Sequence, residues 1–432
     1  MNFISKKYAP LIFTEFYLLF TILIFWFGPI KYKVLNKFEF IILLFLYHLF
    51  FIVGYVISLK TYKSKPVLVH KFSSTKFYIL FFFAFLGVLV AYKNNMNANS
   101  IIPYNYFAEI WGGINNPGLV YTERMLNIDY ASAGESRFFN IIFMFVAFAK
   151  FLFIFYFIWY WRVLSILART FSVLYSFFYI SPGISAGVNS VMFWFVIFFS
   201  SSLLFFYFLK KRNKLKLILI VLSFLIMVPI LSFGYIMSER GGGYSYFEQS
   251  SPRGDISITI NDIDLESPTI FSYLGYSFTW LDYYITQGYY GFSLVLEQNF
   301  RWTYGFGNSA FLQRQFNLIS GIDVGQLSYQ RRYDNIWGEL SQWHSFYGQF
   351  ANDFSPLGLV LLMFALGFMF ARVWMTVLFR DSFYGAALMP IFVIMFVFLP
   401  ANNQIFGYID TISYFVFISI FWYMEGKKVV FY

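Results

Sequence analysis

The sequence predicts an all-α polytopic membrane protein of about ten transmembrane helices with a large, partly helical outer loop. Hydrophobic residues make up 59% of the 432 residues and charged residues only 12%, about half the charged share of a typical soluble domain. Apolar runs of roughly 17 to 23 residues, the length that crosses about 30 Å of hydrocarbon, recur along the whole chain. The chain is therefore expected to lie in a membrane and to cross it several times.

The predicted crossings are ten apolar runs. They lie near 9–30, 38–59, 77–92, 138–160, 163–180, 189–209, 215–236, 356–379, 384–400 and 407–424. The first run is long enough to span and lacks a small-residue cleavage site, so it is interpreted as a signal anchor.

Orientation follows from the short connections, because Lys and Arg there resist translocation. Lysines cluster in the second connection and in the sixth, and these two are predicted to be cytoplasmic: Lys60, Lys63, Lys65, Lys71 and Lys76; Lys210, Lys211, Lys214 and Lys216. Ten crossings then place both termini inside. The first connection, with Lys31, Lys33 and Lys37, runs against the rule.

Three regions follow from this topology. Residues 1–236 form an N-terminal bundle of about seven helices with an outer loop at 93–137, residues 237–355 form the large outer loop, and residues 356–432 supply about three further helices. Apolar stretches within the large loop, Thr269 to Ile285 and Tyr289 to Leu296, are interpreted as interfacial helices or re-entrant hairpins.

Basic residues divide unevenly between the two sides. Only four of 18 lysines lie outside, whereas eight of 13 arginines do, and the large loop has six arginines and no lysine. Guanidinium grips phosphate through a planar fork of donors, while ammonium acts as a point charge. The outer face is therefore predicted to bind phosphate or carboxylate, although each arginine could also pair with an acidic residue of the loops.

Two arginines are the strongest phosphate-binding candidates by position. Arg240 follows the seventh predicted helix at headgroup height, in Ser238-Glu239-Arg240-Gly241. Arg137, in Gly134-Glu135-Ser136-Arg137, enters the fourth helix, where the helix dipole favours an anion. Arg301, Arg331 and Arg332 are further candidates on the same loop.

The candidate general base is His344, in Trp343-His344-Ser345-Phe346, the only histidine on the predicted outer face. A neutral imidazole accepts a proton near pH 7. Glu339 is the second candidate, and Asp334, Asp353, Asp282 and Glu297 are alternatives. With no cysteine and three scattered histidines, no metal centre and no cofactor is predicted, although a carboxylate site for a hard cation stays open.

Two other groups of residues are open to two interpretations. The tyrosines and tryptophans of the large loop suit both sugar faces and a membrane interface. Glu15, Lys150 and Asp410 fall inside predicted helices, where ionisable groups either pair or serve a function.

These features together resemble the Wzy-type O-antigen and oligosaccharide repeat unit polymerases, which share an architecture with O-antigen ligases. The resemblance rests on the topology, on Ser238-Glu239-Arg240-Gly241, and on Trp343-His344-Ser345-Phe346 followed by Gly348 and Gly358. The stretches Gly288 to Leu294 and Trp302 to Asn308 are also similar to segments of these polymerases.

The resemblance implies a metal-independent glycosyltransferase of GT-C-like architecture acting on undecaprenyl-pyrophosphate-linked oligosaccharide. The growing glycan would pass to the non-reducing end of a new repeat unit on the outer face of the inner membrane. Membrane lipids and a chain-length regulator protein are the implied partners, and nucleic acid is not. An O-antigen ligase would use nearly the same chemistry, and a polysaccharide flippase is the rival from another class.

Overall fold

The structure is a computed structural model that describes residues 3–63, 70–96, 105–131, 143–209, 215–240, 245–259, 269–339 and 341–427. It is mostly helical, at 77%, in agreement with the predicted all-α class. The only sheet among these residues is a ribbon of two short strands.

The elements run in the following order. They are α1 (Phe3–Phe27), β1 (Ile30–Tyr32), α2 (Lys37–Thr61), α3 (Ser74–Met96), α4 (Tyr106–Asn115), α5 (Pro117–Ala131), α6 (Phe148–Tyr160), α7 (Ile166–Ser185), α8 (Ser190–Leu209), α9 (Leu215–Glu239), α10 (Ser245–Gln249), β2 (Ile256–Ile258), α11 (Ile270–Val295), α12 (Ala310–Ser320), the 3₁₀ turn Val324–Leu327, α13 (Tyr329–Arg332), α14 (Phe346–Arg380), α15 (Phe383–Phe398) and α16 (Ile409–Lys427).

Six helical stretches of the described chain are long and apolar enough to cross a membrane. They are Lys6–Phe27, Lys37–Thr61, Ser74–Lys93, Phe143–Tyr160, Ser190–Leu209 and Phe346–Arg380. Two of the other predicted crossings correspond to shorter apolar helices, Leu225–Glu239 and Phe383–Phe398. The two remaining predicted crossings, 163–180 and 407–424, correspond to α7 and α16. Polar residues lower the hydropathy of these helices, among them Arg169 in α7 and Glu425 in α16.

The predicted eighth crossing is longer than expected. Helix α14 begins at Phe346, ten residues before the predicted start, and Ser355 at φ 63° breaks it just ahead of Pro356. Proline lacks an N–H and disfavours helical geometry in the residue before it, which explains the kink. The N-terminal segment of α14 therefore stands at an angle to the long apolar part, and the hydroxyl of Tyr47 from α2 bonds the Pro356 carbonyl at 2.5 Å.

The β ribbon joins two distant connections. Ile30 pairs with Ile258 and Tyr32 with Ile256, in antiparallel register. The connection between α1 and α2 therefore lies at the same end of the bundle as the large connection between α9 and α14. The predicted topology requires these two connections to lie on the same side of the membrane. Lys31 and Lys33 of the first connection oppose this placement by the charge rule, whereas the strand pairing agrees with it.

The apolar stretches of the large loop form one helix, α11, rather than two pieces. Its C-terminal half is almost wholly buried, and Tyr289 bonds Thr21 of α1 at 3.0 Å. Gly288 allows the close packing, since a Cβ there would lie 2.3 Å from the carbonyl oxygens of Pro400 and Ala401. Gly288 is thus a contact point within a continuous helix.

Ionisable side chains inside the bundle occur as pairs. Lys150 of α6 meets Asp410 of α16 at 2.6 Å, with side-chain exposures of 6% and 14%. Glu15 of α1 meets His48 of α2 at 2.7 Å. Of the two explanations weighed for Glu15, Lys150 and Asp410, the contacts support pairing between helices, since an unpaired charge at this depth is costly.

Candidate anion site at the end of helix α9

Arg240 lies at a junction of three elements. Its backbone N–H bonds the Ile236 carbonyl at 3.1 Å and so continues the last turn of α9. Gly118 of α5 packs on the end of α9 so closely that a Cβ there would lie 2.2 Å from the Glu239 carbonyl oxygen. The turn between α7 and α8 contributes Gly187, whose carbonyl accepts a hydrogen bond from Nη2 of Arg240.

The guanidinium of Arg240 is held by an aromatic ring rather than by an acid. It lies 3.6 Å from the ring centre of Tyr121 on α5. Its Nε is buried without a hydrogen-bond partner, and Nη1 has only the sulfur of Met237 at 3.9 Å. Across the described ranges no carboxylate forms an ion pair with it. Among the residues that the structure describes, several N–H donors of Arg240 therefore have no acceptor.

Burial lowers the pKa of Arg240, and the nearby tyrosines Tyr284, Tyr121 and Tyr246 oppose that shift. An arginine nevertheless keeps its charge in proteins. A half-buried cation with no opposite charge among its described neighbours is unfavourable, and an anion that enters the site would relieve this cost.

A second guanidinium lies near enough to Arg240 for the two charges to interact. Arg124 is on α5, three residues after Tyr121, so the two side chains share one helix face. Burial lowers the pKa of Arg124, Tyr121 opposes that shift, and the charge of Arg240 lowers the pKa further. Guanidinium groups bind the oxygens of phosphate and pyrophosphate through charge-assisted hydrogen bonds, so two neighbouring arginines suit such an anion.

Aromatic side chains surround this arginine pair. Tyr284 of α11 meets Trp343 edge-on at 4.4 Å between ring centres. Tyr408, which opposes the lowering of the Arg124 pKa, meets Trp194 at 4.9 Å. Burial raises the pKa of Tyr284 to about 12, so its hydroxyl stays protonated and can donate a hydrogen bond. The surroundings combine cations, hydroxyl donors and apolar ring faces.

The structure places His344 in the interior. The side chain is 3% exposed, Nδ1 lies 3.2 Å from the Tyr333 hydroxyl, and Nε2 lies 3.3 Å from the Gly338 carbonyl oxygen. Burial lowers the pKa of His344 to about 4, so the ring is neutral at pH 7. Its role as general base stays a prediction. In this geometry His344 fixes the segment that carries Trp343 against Tyr284.

Glu339, the second candidate base, is tied to an arginine. One carboxylate oxygen lies 2.7 Å from Nε of Arg331, and the backbone N–H of Glu339 bonds Asp334 at 2.6 Å. Burial raises the pKa of Glu339, and Arg331 opposes that shift. A carboxyl with a raised pKa suits proton transfer, although here the carboxylate also serves an ion pair.

The remaining candidate arginines form a separate group. Arg332 stacks on Tyr329 at 4.7 Å and donates from Nε to the Ser328 carbonyl. Burial lowers the pKa of Arg332, and the charge of Arg301 lowers it further. The segment 301–339 thus holds all three arginines, Arg301, Arg331 and Arg332. No hydrogen bond or ion pair between described residues links this group directly to Arg240.

Two sequence candidates fall outside the described residues. Arg137 lies in 132–142, and the glycines after Arg240 lie in 241–244. The prediction that they take part in anion binding stays a prediction.

The alternative base Asp353 has a structural role. Its Oδ1 accepts hydrogen bonds from the Thr303 hydroxyl at 2.5 Å and from the backbone N–H groups of Gly305 and Gly307. Its Oδ2 accepts from the backbone and side chain of Asn308. The stretch Trp302 to Asn308, singled out for its resemblance, is therefore a loop folded around one carboxylate.

Asp282 differs from the other acidic candidates. It lies on α11 against Gly28, and burial raises its pKa to about 7, offset only in part by the backbone of Ile30 and the charge of Lys31. Glu297, by contrast, pairs with Arg253 at 3.0 Å. Within the described ranges, no group of three or more His, Cys, Asp or Glu side chains is arranged to hold a metal ion.

Sequence reasoning placed Arg124 among the outer arginines but did not single it out. The useful signal was local: Tyr121 and Arg124 are one turn apart on a segment that forms a helix within the predicted 93–137 loop. Its partner Arg240 is 116 positions away in the chain, and no pattern in one sequence joins such positions.

Comparison with known proteins gives no match: no family model, no curated protein and no solved structure is similar to this chain.

Proposed function

We propose that this protein is a membrane glycosyltransferase that polymerises lipid-linked oligosaccharide repeat units of a bacterial surface polysaccharide. The observation that carries the proposal is the Arg240 and Arg124 pair at the end of α9, in which Arg240 has uncommitted donors and no carboxylate partner among the described residues. Such a pair suits the pyrophosphate of an undecaprenyl-linked glycan, whose charge lies at the membrane surface.

The proposed reaction moves the growing glycan from its lipid carrier to a new repeat unit. A hydroxyl of the non-reducing sugar attacks the anomeric carbon of the donor, so a glycosidic C–O bond forms and the bond between that carbon and the pyrophosphate oxygen breaks. Undecaprenyl pyrophosphate leaves with the bonding electrons. Arginine donors stabilise the charge that develops on it, and one such donor is typically worth about 10² to 10³ in rate.

The proton of the attacking hydroxyl needs an acceptor. His344 is the proposed base and Glu339 the alternative. Burial keeps His344 neutral, the protonation state that accepts a proton. Its Nε2 faces the Gly338 carbonyl, so catalysis by His344 requires the segment around residues 338–344 to shift when the acceptor binds.

The aromatic surroundings support a glycan substrate. Tyr284 and Tyr246 lie near Arg240 and Trp343 packs on Tyr284, and the apolar faces of sugar rings pack on aromatic side chains. A flippase would need charged groups along a path through the bundle, whereas several described charges inside the bundle lie in contacts between segments, namely Lys150–Asp410, Glu15–His48 and His70–Glu425.

The test uses purified full-length protein in lipid nanodiscs and lipid-linked repeat units as the only glycan. A ladder of products spaced by one repeat supports the polymerase. No product with repeat units alone, followed by transfer once lipid A core is added, would identify a ligase instead. In cells, deletion of the gene leaves single-repeat lipopolysaccharide for a polymerase and unsubstituted core for a ligase.

A further inference from the structure

An apolar groove lies beside the N-terminal half of α1. It has a volume of about 470 Å³ and is formed by α1, α8, α14 and α15, within the range of about 300–1,000 Å³ that small-molecule sites occupy. Three of these four helices are among those long and apolar enough to span a membrane. The groove therefore opens toward hydrocarbon.

The lining of the groove excludes water as a stable occupant. Most of its residues are aliphatic or aromatic. Two of the few polar groups are already used, because the Tyr17 hydroxyl donates to the Val397 carbonyl at 2.7 Å and the Trp374 indole donates to the Lys6 carbonyl at 2.9 Å. A buried water needs two to four polar partners, which this surface does not offer, whereas a hydrocarbon chain needs none.

One end of the groove carries a positive charge. The ammonium of Lys6 lies 5.7 Å from the ring centre of Phe208, which lines the groove. Lys6 is in the first turns of α1, whereas the β ribbon and Asp282 lie beyond the other end of that helix. A lipid head group at Lys6 thus belongs to the leaflet opposite the Arg240 site, so the groove is distinct from the proposed glycan site.

We propose that the groove binds an acyl chain of an anionic phospholipid whose phosphate pairs with Lys6. The apolar walls hold the chain, and the lysine selects a negative head group over a neutral one. This inference does not depend on the proposed glycosyltransferase activity.

The test is native mass spectrometry of the full chain, delipidated in detergent and then incubated with phosphatidylglycerol or phosphatidylcholine. Val393→Trp fills the groove from α15, where Val393 is partly buried. Val416→Trp is the matched control, since Val416 is 37% exposed on α16 and does not line the groove. Lys6→Gln removes the charge and leaves the walls.

The wild-type chain is expected to retain phosphatidylglycerol in preference to phosphatidylcholine. Val393→Trp should lose the bound lipid of both kinds while Val416→Trp keeps it, and Lys6→Gln should reduce the preference for phosphatidylglycerol about fivefold. Equal lipid retention by the two tryptophan variants would overturn the proposal. So would an unchanged preference in Lys6→Gln, or a dimer mass that Val393→Trp abolishes, which would assign the groove to a second copy of the chain.

Discussion

Replacing Arg240 by alanine should reduce chain extension by about 10² to 10³, because one charge-stabilising donor to the leaving pyrophosphate is lost. The Nε and Nη1 donors of this guanidinium have no oxygen partner within the described part of the chain, so we expect them to bind a substrate anion. Arg240→Lys keeps the charge but loses the planar fork, and an intermediate loss of about tenfold is expected.

The substitution also affects the fold, and the assay has to separate the two effects. Arg240 donates to the Gly187 carbonyl and stacks on Tyr121. A cation–π contact of this kind contributes about 0.5–2 kcal/mol and a hydrogen bond about 1 kcal/mol. Arg240→Ala should therefore lower the thermal midpoint modestly without unfolding the chain. Size-exclusion chromatography of a fluorescent fusion checks the folding before initial rates of ladder formation are compared.

The matched control is Arg253→Ala. Arg253 is on the same connection but is paired with Asp255 and Glu297, both at 3.0 Å, and partly exposed ion pairs contribute at most about 1 kcal/mol. Its loss should leave the rate of chain extension near that of the wild type. An Arg240→Ala protein that folds and extends chains as fast as Arg253→Ala would refute the reasoning.

Three further predictions concern ionisable groups. Burial lowers the pKa of His344 to about 4 in the folded chain. The free energy of unfolding should therefore be highest above about pH 6.5 and fall by up to about 3 kcal/mol toward pH 4. A His344→Gln variant should show a flatter profile of thermal midpoint against pH over that range. The pH dependence of stability that Asp282 causes has the opposite sign, because its pKa is raised to about 7 and the folded chain loses stability as pH rises from about 4 to about 7. Asp282→Asn should therefore raise the thermal midpoint at pH 8 more than at pH 5. An equal change at both pH values would argue against a buried carboxylate that is costly to ionise. Asp410→Asn should destabilise the chain by about 3–5 kcal/mol because it leaves Lys150 buried without its partner. Adding Lys150→Met should restore much of that loss in a detergent unfolding assay. A double variant that is no more stable than Asp410→Asn would contradict the pairing.

The helices could be predicted because apolar length is a local property. All ten predicted runs overlap a helix, but only six described stretches have both the length and the hydropathy of a span. The start of α14 could not be located, since the residues before Pro356 are polar and aromatic and their helix depends on contacts with other segments. Asn352, for example, accepts from the Tyr329 backbone and donates to Gln330.

The candidate site, too, could be predicted from local sequence signals but not from contacts between distant segments. Arg240 was singled out because it follows an apolar run, which is a local signal. Its approach to Arg124, Tyr121 and Gly187 depends on how α5, α9 and the turn after α7 pack. The burial of His344 follows from Tyr333 and Gly338 closing over it, and the sequence alone does not decide between a structural histidine and a catalytic one.

The most direct measurement is the affinity of the purified protein for undecaprenyl pyrophosphate and for undecaprenol, in the wild type, Arg240→Ala and Arg253→Ala. The arginine pair should make the wild type and Arg253→Ala bind the pyrophosphate lipid far more tightly than the alcohol. Arg240→Ala should lose most of that difference. An equal preference in all three proteins would contradict the assignment of the Arg240 site to a lipid-linked pyrophosphate.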